Sequence, residues 1–363
     1  MESRLRQQVA AGRLEFDAIQ LDAAARLDRS SASLLESSRS VGARLRAHLR
    51  WLPAPTAAAQ RGLYLWGGVG RGKTMLMDWF YESLRPPRRE RTHFYRFMRR
   101  VHAELRTAKR RTQPLDAVAE RLAQRARVIC LDEFFVADIA DAMILSGLFE
   151  GLFRRGVTLI ATSNTPPQDL YKEGLQRERF LPTIELIRSH MDVVNLDAGI
   201  DYRLRQLEQA PTYFDSALAG TAAQLQRRFA ALAGDSVTHP AALSIEDRNI
   251  AAIATGAGMA WFEFSELCEG PRSQNDYIEL ARCYHTIFIS NIPQFTGTDE
   301  NAARRLISAV DEFYDRGVKL VVSAEAPPAE LYRGERLVLE FQRAASRLVE
   351  MQTQHYLARQ HLP

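Results

Sequence analysis

The fold is decided by residues 62–84, which read GLYLWGGVGRGKTMLMDWFYESL. An apolar strand comes first, a helical pattern comes last, and the segment between them matches G-x-x-x-x-G-K-[ST]. Glycines let such a loop wrap closely around phosphate, and the start of the following helix favours an anion. The residues expected to bind a nucleotide are Gly67, Gly68, Val69, Gly70, Arg71, Gly72, Lys73 and Thr74.

Two side chains of this loop are expected to have separate roles. Lys73 would reach the β- and γ-phosphates as a point charge, and Thr74 would bind Mg²⁺ through its hydroxyl group. Lys73 is one of only four lysines among 48 Lys+Arg residues. Because arginine is the usual cation of this chain, a lysine here indicates that a compact ammonium is needed. The sequence therefore predicts ATP and Mg²⁺ as cofactors.

A second motif follows the apolar run 128–131, which ends in Asp132 and Glu133. A buried strand would deliver both carboxylates to its carboxyl end, beside the phosphate loop. Asp132 is expected in the Mg²⁺ shell, and Glu133 is expected to act as general base on the attacking water. Asn164 ends the next strand and would lie near the γ-phosphate if that strand sits between the other two. A turn-capping Asn before Pro166 is the alternative.

Arginines in the segment GLQRERFLPTIELIRSH are candidates for a catalytic group supplied by a neighbouring subunit. Arg177 is the first choice and Arg179 the second, because both precede a helix that leads to the fifth predicted strand. An arginine from a neighbour stabilises charge on the transferring phosphoryl group. An ion pair within the chain is the alternative for both residues.

The composition is that of a water-soluble globular protein, with 46% hydrophobic and 25% charged residues. No stretch is long and apolar enough to cross a bilayer, and the N-terminus lacks an apolar signal region. Three scattered cysteines form neither a zinc pattern nor a disulfide framework, so a cytoplasmic protein is expected. Eleven Arg/Lys against two acids lie between Arg85 and Arg111, which indicates a solvated face, a subunit interface or a polyanion site.

Apolar runs and helical patterns alternate from Arg61 onwards, which predicts an α/β fold with a parallel sheet. We expect a helical N-terminal arm at 1–58, a P-loop module at 59–205, and a lid with a smaller mixed α/β region at 206–363. The strands predicted for the module are 63–66, 93–97, 128–131, 157–161 and 193–196. Later segments predict a hairpin around Gly256 and Gly258, strands at 285–292 and 318–323, and no clear strand in 206–245.

An internal similarity links FRRGVTLIATSNTPPQDLY at 153–171 with FYDRGVKLVVSAEAPPAELY at 313–332. When Gly156 is aligned with Gly317, the same constant offset places Pro293 at the position of Asp132, Gln294 at that of Glu133 and Glu325 at that of Asn164. A second α/β unit without the chemical groups of the first is therefore expected. Convergence on common turn chemistry is the alternative.

The segments GLYLWGGVGRGKTMLMDWFY, ICLDEFFVADIADAMIL, GVTLIATSNTPPQDLYKEGLQRERFLPTIELI and NLDAGIDYRLRQL together resemble the bacterial ZapE cell-division ATPases and their mitochondrial lactation-elevated-protein counterparts, a subgroup of AAA+ proteins. The resemblance covers about residues 60–340. It implies a P-loop NTPase of AAA+ type, in which Lys73, Thr74, Asp132, Glu133 and Asn164 inherit their AAA+ roles. For a lid arginine that senses nucleotide, the candidates are Arg203, Arg304 and Arg305.

The resemblance further implies an ATP hydrolase that acts on polymers of the division protein FtsZ, is recruited to the division site or inner membrane, and forms a homo-oligomer with ATP bound. One departure from the AAA+ pattern is the missing aromatic-apolar-Gly pore loop. The nearest aromatic pairs, Phe97-Met98 and Phe134-Phe135, fit a core as well. Nucleic acid is not the expected partner, but a DNA-associated ATPase of helicase-loader type stays open as the alternative. So do a non-enzymatic nucleotide switch and a small-molecule kinase.

Overall fold

The chain divides into unit one, residues 1–200, and unit two, residues 201–363. The computed structural model describes residues 1–12, 14, 16–39, 60–68, 70–84, 88–108, 112–197, 211–246 and 248–362. Four of the residues named above, Val69, Arg85, Arg111 and Arg203, lie outside these ranges.

Unit one is built on a parallel sheet with the strand order β2-β3-β4-β1-β5. Its strands are β1 (Gly62–Trp66), β2 (Arg89–His93), β3 (Val128–Asp132), β4 (Thr158–Ser163) and β5 (Met191–Asn195). Its helices are α1 (Glu2–Ala10), α2 (Ala18–Arg39), α3 (Lys73–Ser83), α4 (Phe94–Ala108), α5 (Pro114–Arg125), α6 (Ile139–Arg154) and α7 (Leu181–His190).

Both faces of this sheet are buried, which explains why its central strands read as continuous apolar runs. Alternate residues point to opposite faces. Leu63 and Leu65 of β1 pack with α2 and α3 residues on one face. Tyr64 between them belongs to the core on the other face, with residues of α4 to α7. The expected α/β fold class with a parallel sheet is confirmed.

The N-terminal arm contributes to the first of these two cores. Ala23, Ala24 and Leu27 of α2 are fully buried in the same cluster as Leu65 and Leu76. The domain boundaries expected at 58 and 205 therefore stay a proposal, because the described helices of the N-terminal arm share a core with the P-loop module.

The second predicted strand, 93–97, is wrong. The strand is Arg89–His93, and the aromatic run begins helix α4 at Phe94 instead. The charged side chains of this strand give no apolar strand signal. Two of them are balanced by ion pairs with other elements, Arg91 with Asp132 and Glu90 with Arg100. The aromatic pairs Phe97-Met98 and Phe134-Phe135 are largely core, since all but the half-buried Phe135 are about 1% exposed.

Unit two contains a five-stranded sheet with the order β6-β12-β11-β10-β9 and a separate hairpin, β7-β8. Its strands are β6 (Tyr213–Asp215), β7 (Ala241–Ile245), β8 (Arg248–Ala252), β9 (Ala254–Gly256), β10 (Met259–Glu263), β11 (Thr286–Ile292) and β12 (Lys319–Ala324). Its helices are α8 (Thr221–Ala233), α9 (Gln274–Cys283), α10 (Glu300–Asp315), α11 (Val338–Glu350) and α12 (Gln354–Leu357).

The hairpin predicted around Gly256 and Gly258 is confirmed as the antiparallel pair β9 and β10. The later predicted strands are confirmed as β11 and β12. The expectation of no strand in 206–245 is wrong, because β6 and β7 lie there. β6 has three residues and β7 pairs only with β8, so neither produced a long apolar signal.

Four strands of unit two repeat the topology of unit one. The parallel order β10-β11-β12-β6 matches β2-β3-β4-β1. The offset that aligns Gly156 with Gly317 also superimposes both ends of α6 on those of α10, and both ends of β4 on those of β12. Tyr64 Oη donates to the Thr165 carbonyl at 2.8 Å, and Tyr213 Oη donates to the carbonyl of Ala326, the residue aligned with Thr165, at 2.7 Å. The internal similarity is therefore structural.

That constant offset does not extend to the acidic motif, which corrects one alignment made above. Leu131 pairs with Ala161, whereas Ile289 pairs with Val322, so the strand register places Ser290 at the position of Asp132 and Asn291 at that of Glu133. The connection from β11 to α10 is longer than that from β3 to α6, which shifts the linear alignment. Pro293 and Gln294 are therefore not the counterparts of the two acids.

Candidate nucleotide site

The site lies at the carboxyl edge of the unit-one sheet. The phosphate loop follows β1, Glu133 follows β3 and Asn164 follows β4. Because β4 pairs with both β3 and β1 in parallel, these three strand ends are neighbours. This order, with β4 between the phosphate-loop strand and the acidic strand, is the condition under which Asn164 was expected near the γ-phosphate.

The phosphate loop has the backbone that its glycines permit. Gly67, Gly70 and Gly72 all have positive φ, at 148°, 79° and 79°. A side chain is disfavoured in that region, so each of these glycines is needed where it is. Gly72 is the N-cap of α3 and makes no side-chain cap, which leaves the first helical N–H groups directed toward the loop. Lys73 and Thr74 are the first two residues of that helix.

The charged groups of the loop are bonded within unit one. Lys73 Nζ donates to the carbonyls of Gly67 and Gly68, both at 2.6 Å. The Gly68 N–H donates to Asp197 Oδ1 at 2.8 Å, and Arg71 Nε donates to the same oxygen at 3.1 Å. The Gly68 N–H thus donates to a carboxylate oxygen in the place where it could donate to a phosphate oxygen. Gln20 of α2 also reaches the loop, donating through Nε2 to the Arg71 carbonyl at 3.1 Å.

Asp132 is fixed by an arginine of the neighbouring strand. Arg91 Nε donates to Asp132 Oδ2 at 2.7 Å, and its Nη2 donates to Oδ1 at 3.3 Å. The third nitrogen, Nη1, bonds Asp78 of α3. Asp132 is 7% exposed, so the guanidinium compensates a carboxylate that would otherwise be costly to bury. One side chain therefore ties β2, β3 and α3 together.

The electrostatics follow from this burial. Desolvation raises the pKa of Asp78, and the charge of Arg91 opposes that rise. Burial would lower the pKa of Arg91, but Asp132 and Asp78 together raise it above its ordinary value. Burial lowers the pKa of His93, the register partner of Asp132, to about 4. At neutral pH Arg91 is therefore a cation and His93 a neutral imidazole beside the two acidic side chains.

Glu133 has an unusual backbone conformation. Its φ is 54°, in the left-handed region that non-glycine residues seldom adopt. Its N–H donates to Thr162 Oγ1 at 3.2 Å, and the next N–H, of Phe134, donates to the Thr162 carbonyl at 2.7 Å. β4 therefore holds the turn that carries Glu133. Strain of this kind recurs at functional sites, where the surrounding structure enforces it.

The two arginines proposed as trans-acting groups lie in a short 3₁₀ helix, Arg177–Arg179. Arg177 is half-buried, and its Nη2 donates to the Gln168 carbonyl at 2.6 Å. Arg179 is exposed. Of the lid candidates, Arg304 is exposed on α10, and Arg305 donates to the Cys268 carbonyl at 2.7 Å within unit two.

Several contacts of the site were not predicted. Asp78 lies four residues after Thr74, one turn along the same helix face, and that spacing was a usable signal. Arg91 carried no signal once its strand had been placed four residues late. Gln20 and Asp197 are distant from the motif in sequence, so only the fold brings them to the loop.

The residues fit ATP with Mg²⁺. The Gly68 N–H already donates to an anionic oxygen, and the Lys73 ammonium and the first N–H groups of α3 lie at the same loop. Thr74 and Asp132 are hard oxygen donors of the kind that Mg²⁺ prefers. The described residues contain no cluster of three or more His, Cys, Asp or Glu side chains arranged for a metal, so a cation here would depend on the phosphates as well.

Similar proteins are found over most of the chain. A sequence model of the AFG1-like ATPase family matches residues 1–360. The cell division protein ZapE of Escherichia coli strain K12 is 52% identical over 302 residues, which cover 83% of this chain and 80% of that protein. Lactation elevated protein 1 homolog B of Danio rerio is 37% identical over 342 residues, covering 82% and 68%. The structure of DnaI matches with a TM-score of 0.36 and 18% identity, covering 52% of this chain and 86% of that chain.

Replacing Arg91 by Ala should destabilise the protein by about 2–4 kcal/mol at pH 7, because the buried Asp132 and the half-buried Asp78 lose their shared cation. The loss should shrink as the pH falls. Without Arg91 the folded-state pKa of Asp78, already raised by burial, rises further. The penalty therefore grows as the pH rises from the unfolded-state pKa toward that folded-state pKa and is complete above it. Urea denaturation at pH 7 and pH 4.5 measures both effects.

Arg91→Lys is the matched control, because it keeps one positive charge but cannot bridge two carboxylates in a plane. It should fall between the wild type and Arg91→Ala at pH 7. The charge of Arg91 also helps to lower the pKa of His93, so Arg91→Ala should ease protonation of His93 and contribute to the smaller penalty at low pH, whereas Arg91→Lys keeps that charge. An Arg91→Ala penalty that is the same at both pH values would contradict the bridging role.

Proposed function

Because the chain belongs to the AFG1-like ATPase family, we propose that unit one hydrolyses ATP and that this turnover remodels a protein partner, namely by destabilising FtsZ polymers at the bacterial division site. The observation that carries the proposal is the parallel order β3-β4-β1, which gathers Lys73, Glu133 and Asn164 at one sheet edge. The division role rests on the 52% identity to the cell division protein ZapE of Escherichia coli.

The phosphates of ATP would be bound by the loop residues 67–74. Lys73 would exchange its two carbonyl acceptors for the β- and γ-phosphates, and the Gly68 amide would exchange the Asp197 carboxylate for a phosphate oxygen. Thr74 and Asp132 would hold Mg²⁺, which when bound neutralises charge on the phosphate oxygens. Arg91, which donates to both Asp132 oxygens, would hold that carboxylate in place.

Glu133 would act on the attacking water. The water oxygen forms a bond to the γ-phosphorus, the bond from that phosphorus to the bridging β–γ oxygen breaks, and the water proton passes to the Glu133 carboxylate. The left-handed turn held by Thr162 sets the direction of this side chain. Asn164 would complete the site from the end of β4.

A neighbouring subunit would supply the last charge. We propose a homo-oligomer in the ATP-bound state, with an arginine from the 3₁₀ helix 177–179 reaching the neighbour's phosphate. Arg179 is exposed and so is able to reach out, whereas Arg177 would first have to leave the Gln168 carbonyl. Experiment therefore decides which of the two arginines reaches the neighbour's phosphate.

The helicase-loader alternative is not favoured by the charges that motivated it. Within the basic stretch 85–111, Arg91 is taken up by Asp132 and Asp78, and Arg100 by Glu90. Arg89 donates to the Leu84 carbonyl at 2.7 Å and lies over the Tyr81 ring. These guanidiniums serve the internal structure, which leaves fewer of them for a phosphate backbone.

Recruitment to the inner membrane is part of the proposal, in the form of peripheral association. No helix of the described residues is long and apolar enough to span a membrane.

Glu133→Gln should lower the turnover of ATP by about 10²–10⁴-fold while leaving nucleotide binding intact, because the amide cannot accept the water proton. Phosphate release measures turnover, and fluorescence of a labelled ATP analogue measures binding. Lys73→Ala is the comparison that loses both. Wild-type turnover in Glu133→Gln would show that another group activates the water.

The same assay distinguishes the two arginines when variants are mixed. Arg179→Ala or Arg177→Ala subunits should lose turnover alone and regain part of it when mixed with Glu133→Gln subunits, because each supplies what the other lacks. A variant that acts only through its own fold would not be rescued. Failure of both variants to respond to mixing would reject a site shared between subunits.

Preassembled FtsZ polymers should pellet less after incubation with the wild-type protein and ATP, whereas Lys73→Ala should leave the pelleted fraction unchanged. Sedimentation with matched protein concentrations measures this. If wild type hydrolyses ATP but the pellet does not change, the enzyme proposal survives and the partner proposal fails. If Lys73→Ala lowers the pellet equally, the effect is not coupled to ATP.

A further inference from the structure

Unit two contains a cavity of about 510 Å³, a volume that suits a small organic ligand. It opens at the carboxyl ends of β6, β10, β11 and β12, beside the start of α8. Ligands of open parallel sheets bind at this edge. The lining includes the polar and aromatic groups Ser216, Thr221, Gln226, Trp261, Glu263, Ser290, Asn291 and Ser323, together with the exposed His239, whose Nδ1 lies 3.2 Å from the Ile253 carbonyl.

The cavity occupies the place that corresponds to the nucleotide site of unit one. The loop after β6 ends at Gly220, which has a φ of 92° and is the N-cap of α8, as Gly72 is for α3. Asn291 has a φ of 60°, and its N–H donates to Ser323 Oγ at 2.9 Å. Glu133 and Thr162 have the same arrangement in unit one. The architecture of a ligand site is therefore kept.

The chemistry of that site is replaced. Thr221 stands where unit one has Lys73, and Ala222 stands where it has Thr74. The strand register puts Ser290 in place of Asp132 and Asn291 in place of Glu133. The groups that bind phosphate and Mg²⁺ are thus absent from the described lining, so a nucleoside triphosphate is not the ligand.

The described lining instead carries one fixed negative charge. Glu263 ends β10, where β2 of unit one ends in His93. Its Oε2 accepts a hydrogen bond from the Asn291 side-chain amide at 2.9 Å. Among the described residues, no lysine or arginine forms an ion pair with Glu263 or lines the cavity. Glu263 is half-buried, and partial removal from water strengthens the attraction of its carboxylate for a cation. A ligand could provide that cation.

An aromatic ring stands in the same cavity. Trp261 is 5% exposed, and its indole N–H donates to Ser290 Oγ at 2.7 Å, which fixes the ring. Cations are attracted to indole rings, and the attraction grows when water is excluded. A carboxylate together with an indole, in a described lining without lysine or arginine, is a combination that selects ammonium and guanidinium groups.

We propose that the unit-two cavity binds a ligand through its ammonium or guanidinium group, with Glu263 as the counter-charge and Trp261 as the aromatic wall. The ligand is a free small amine or a basic side chain of a peptide partner. This site belongs to a different unit from the ATP site, and it needs neither ATP nor turnover.

The test uses the full chain and isothermal titration calorimetry with N-acetylarginine amide and N-acetylcitrulline amide, which differ by one charge. The arginine compound should bind and the citrulline compound should bind at least tenfold more weakly. Glu263→Gln should weaken the arginine compound at least tenfold, Glu263→Asp should restore part of the affinity, and the exposed Glu266→Gln should have no effect. ATP turnover should be unchanged in all three.

Agmatine and a capped Gly-Arg-Gly peptide separate the two sources, because tighter binding of the peptide indicates a protein partner and tighter binding of agmatine a free amine. Equal affinity for the arginine and citrulline compounds, or wild-type affinity in Glu263→Gln, would overturn the proposal. So would the absence of binding by all cationic probes at 10 mM, about the weakest affinity of functional interest.

Discussion

The parallel pairing of β4 with β3 on one side and β1 on the other is the constraint on which the site depends. It brings the phosphate loop and the acidic motif to the same sheet edge, although three helices and strand β2 lie between the loop and β3 along the chain. β4 also fixes the details, since Thr162 holds the Glu133 turn and the Ser163 carbonyl accepts the Gly67 N–H at 3.2 Å. Any change that shifts β4 would therefore displace both motifs together.

Much of unit one was predictable from sequence because its signals are local. The loop 67–74 combines fixed spacing with glycines that only certain backbone conformations require, and Asp132 and Glu133 end a strand that is apolar on both faces. β2 was misplaced because its alternation consists of charged residues whose partners come from other elements. Arg91 looks like a surface residue in sequence and becomes the centre of a buried ion cluster only when β2, β3 and α3 meet.

Unit two repeats the strand topology of unit one with different side chains at the corresponding site. The backbone features persist. They are the left-handed Gly220 before α8 and the left-handed Asn291, which directly follows the last residue of β11 that pairs with β10. Both lie at the sheet edge that the strand order defines. The side chains proposed to act on phosphate do not persist. Sequence similarity detected the repeat where β12 and α10 keep the offset, but the longer connection before α10 hid the correspondence of Asn291 with Glu133. A carboxylate and an indole occupy the site in their place.

The account rests on one nucleotide site per chain, located in unit one. Equilibrium dialysis with a non-hydrolysable ATP analogue and Mg²⁺ measures this number directly. The predicted result is one bound analogue per chain in the wild type and none in Lys73→Ala at the same free concentration. Two analogues per chain, or one that survives in Lys73→Ala, would contradict the assignment of Lys73 and of unit two as a site without phosphate chemistry.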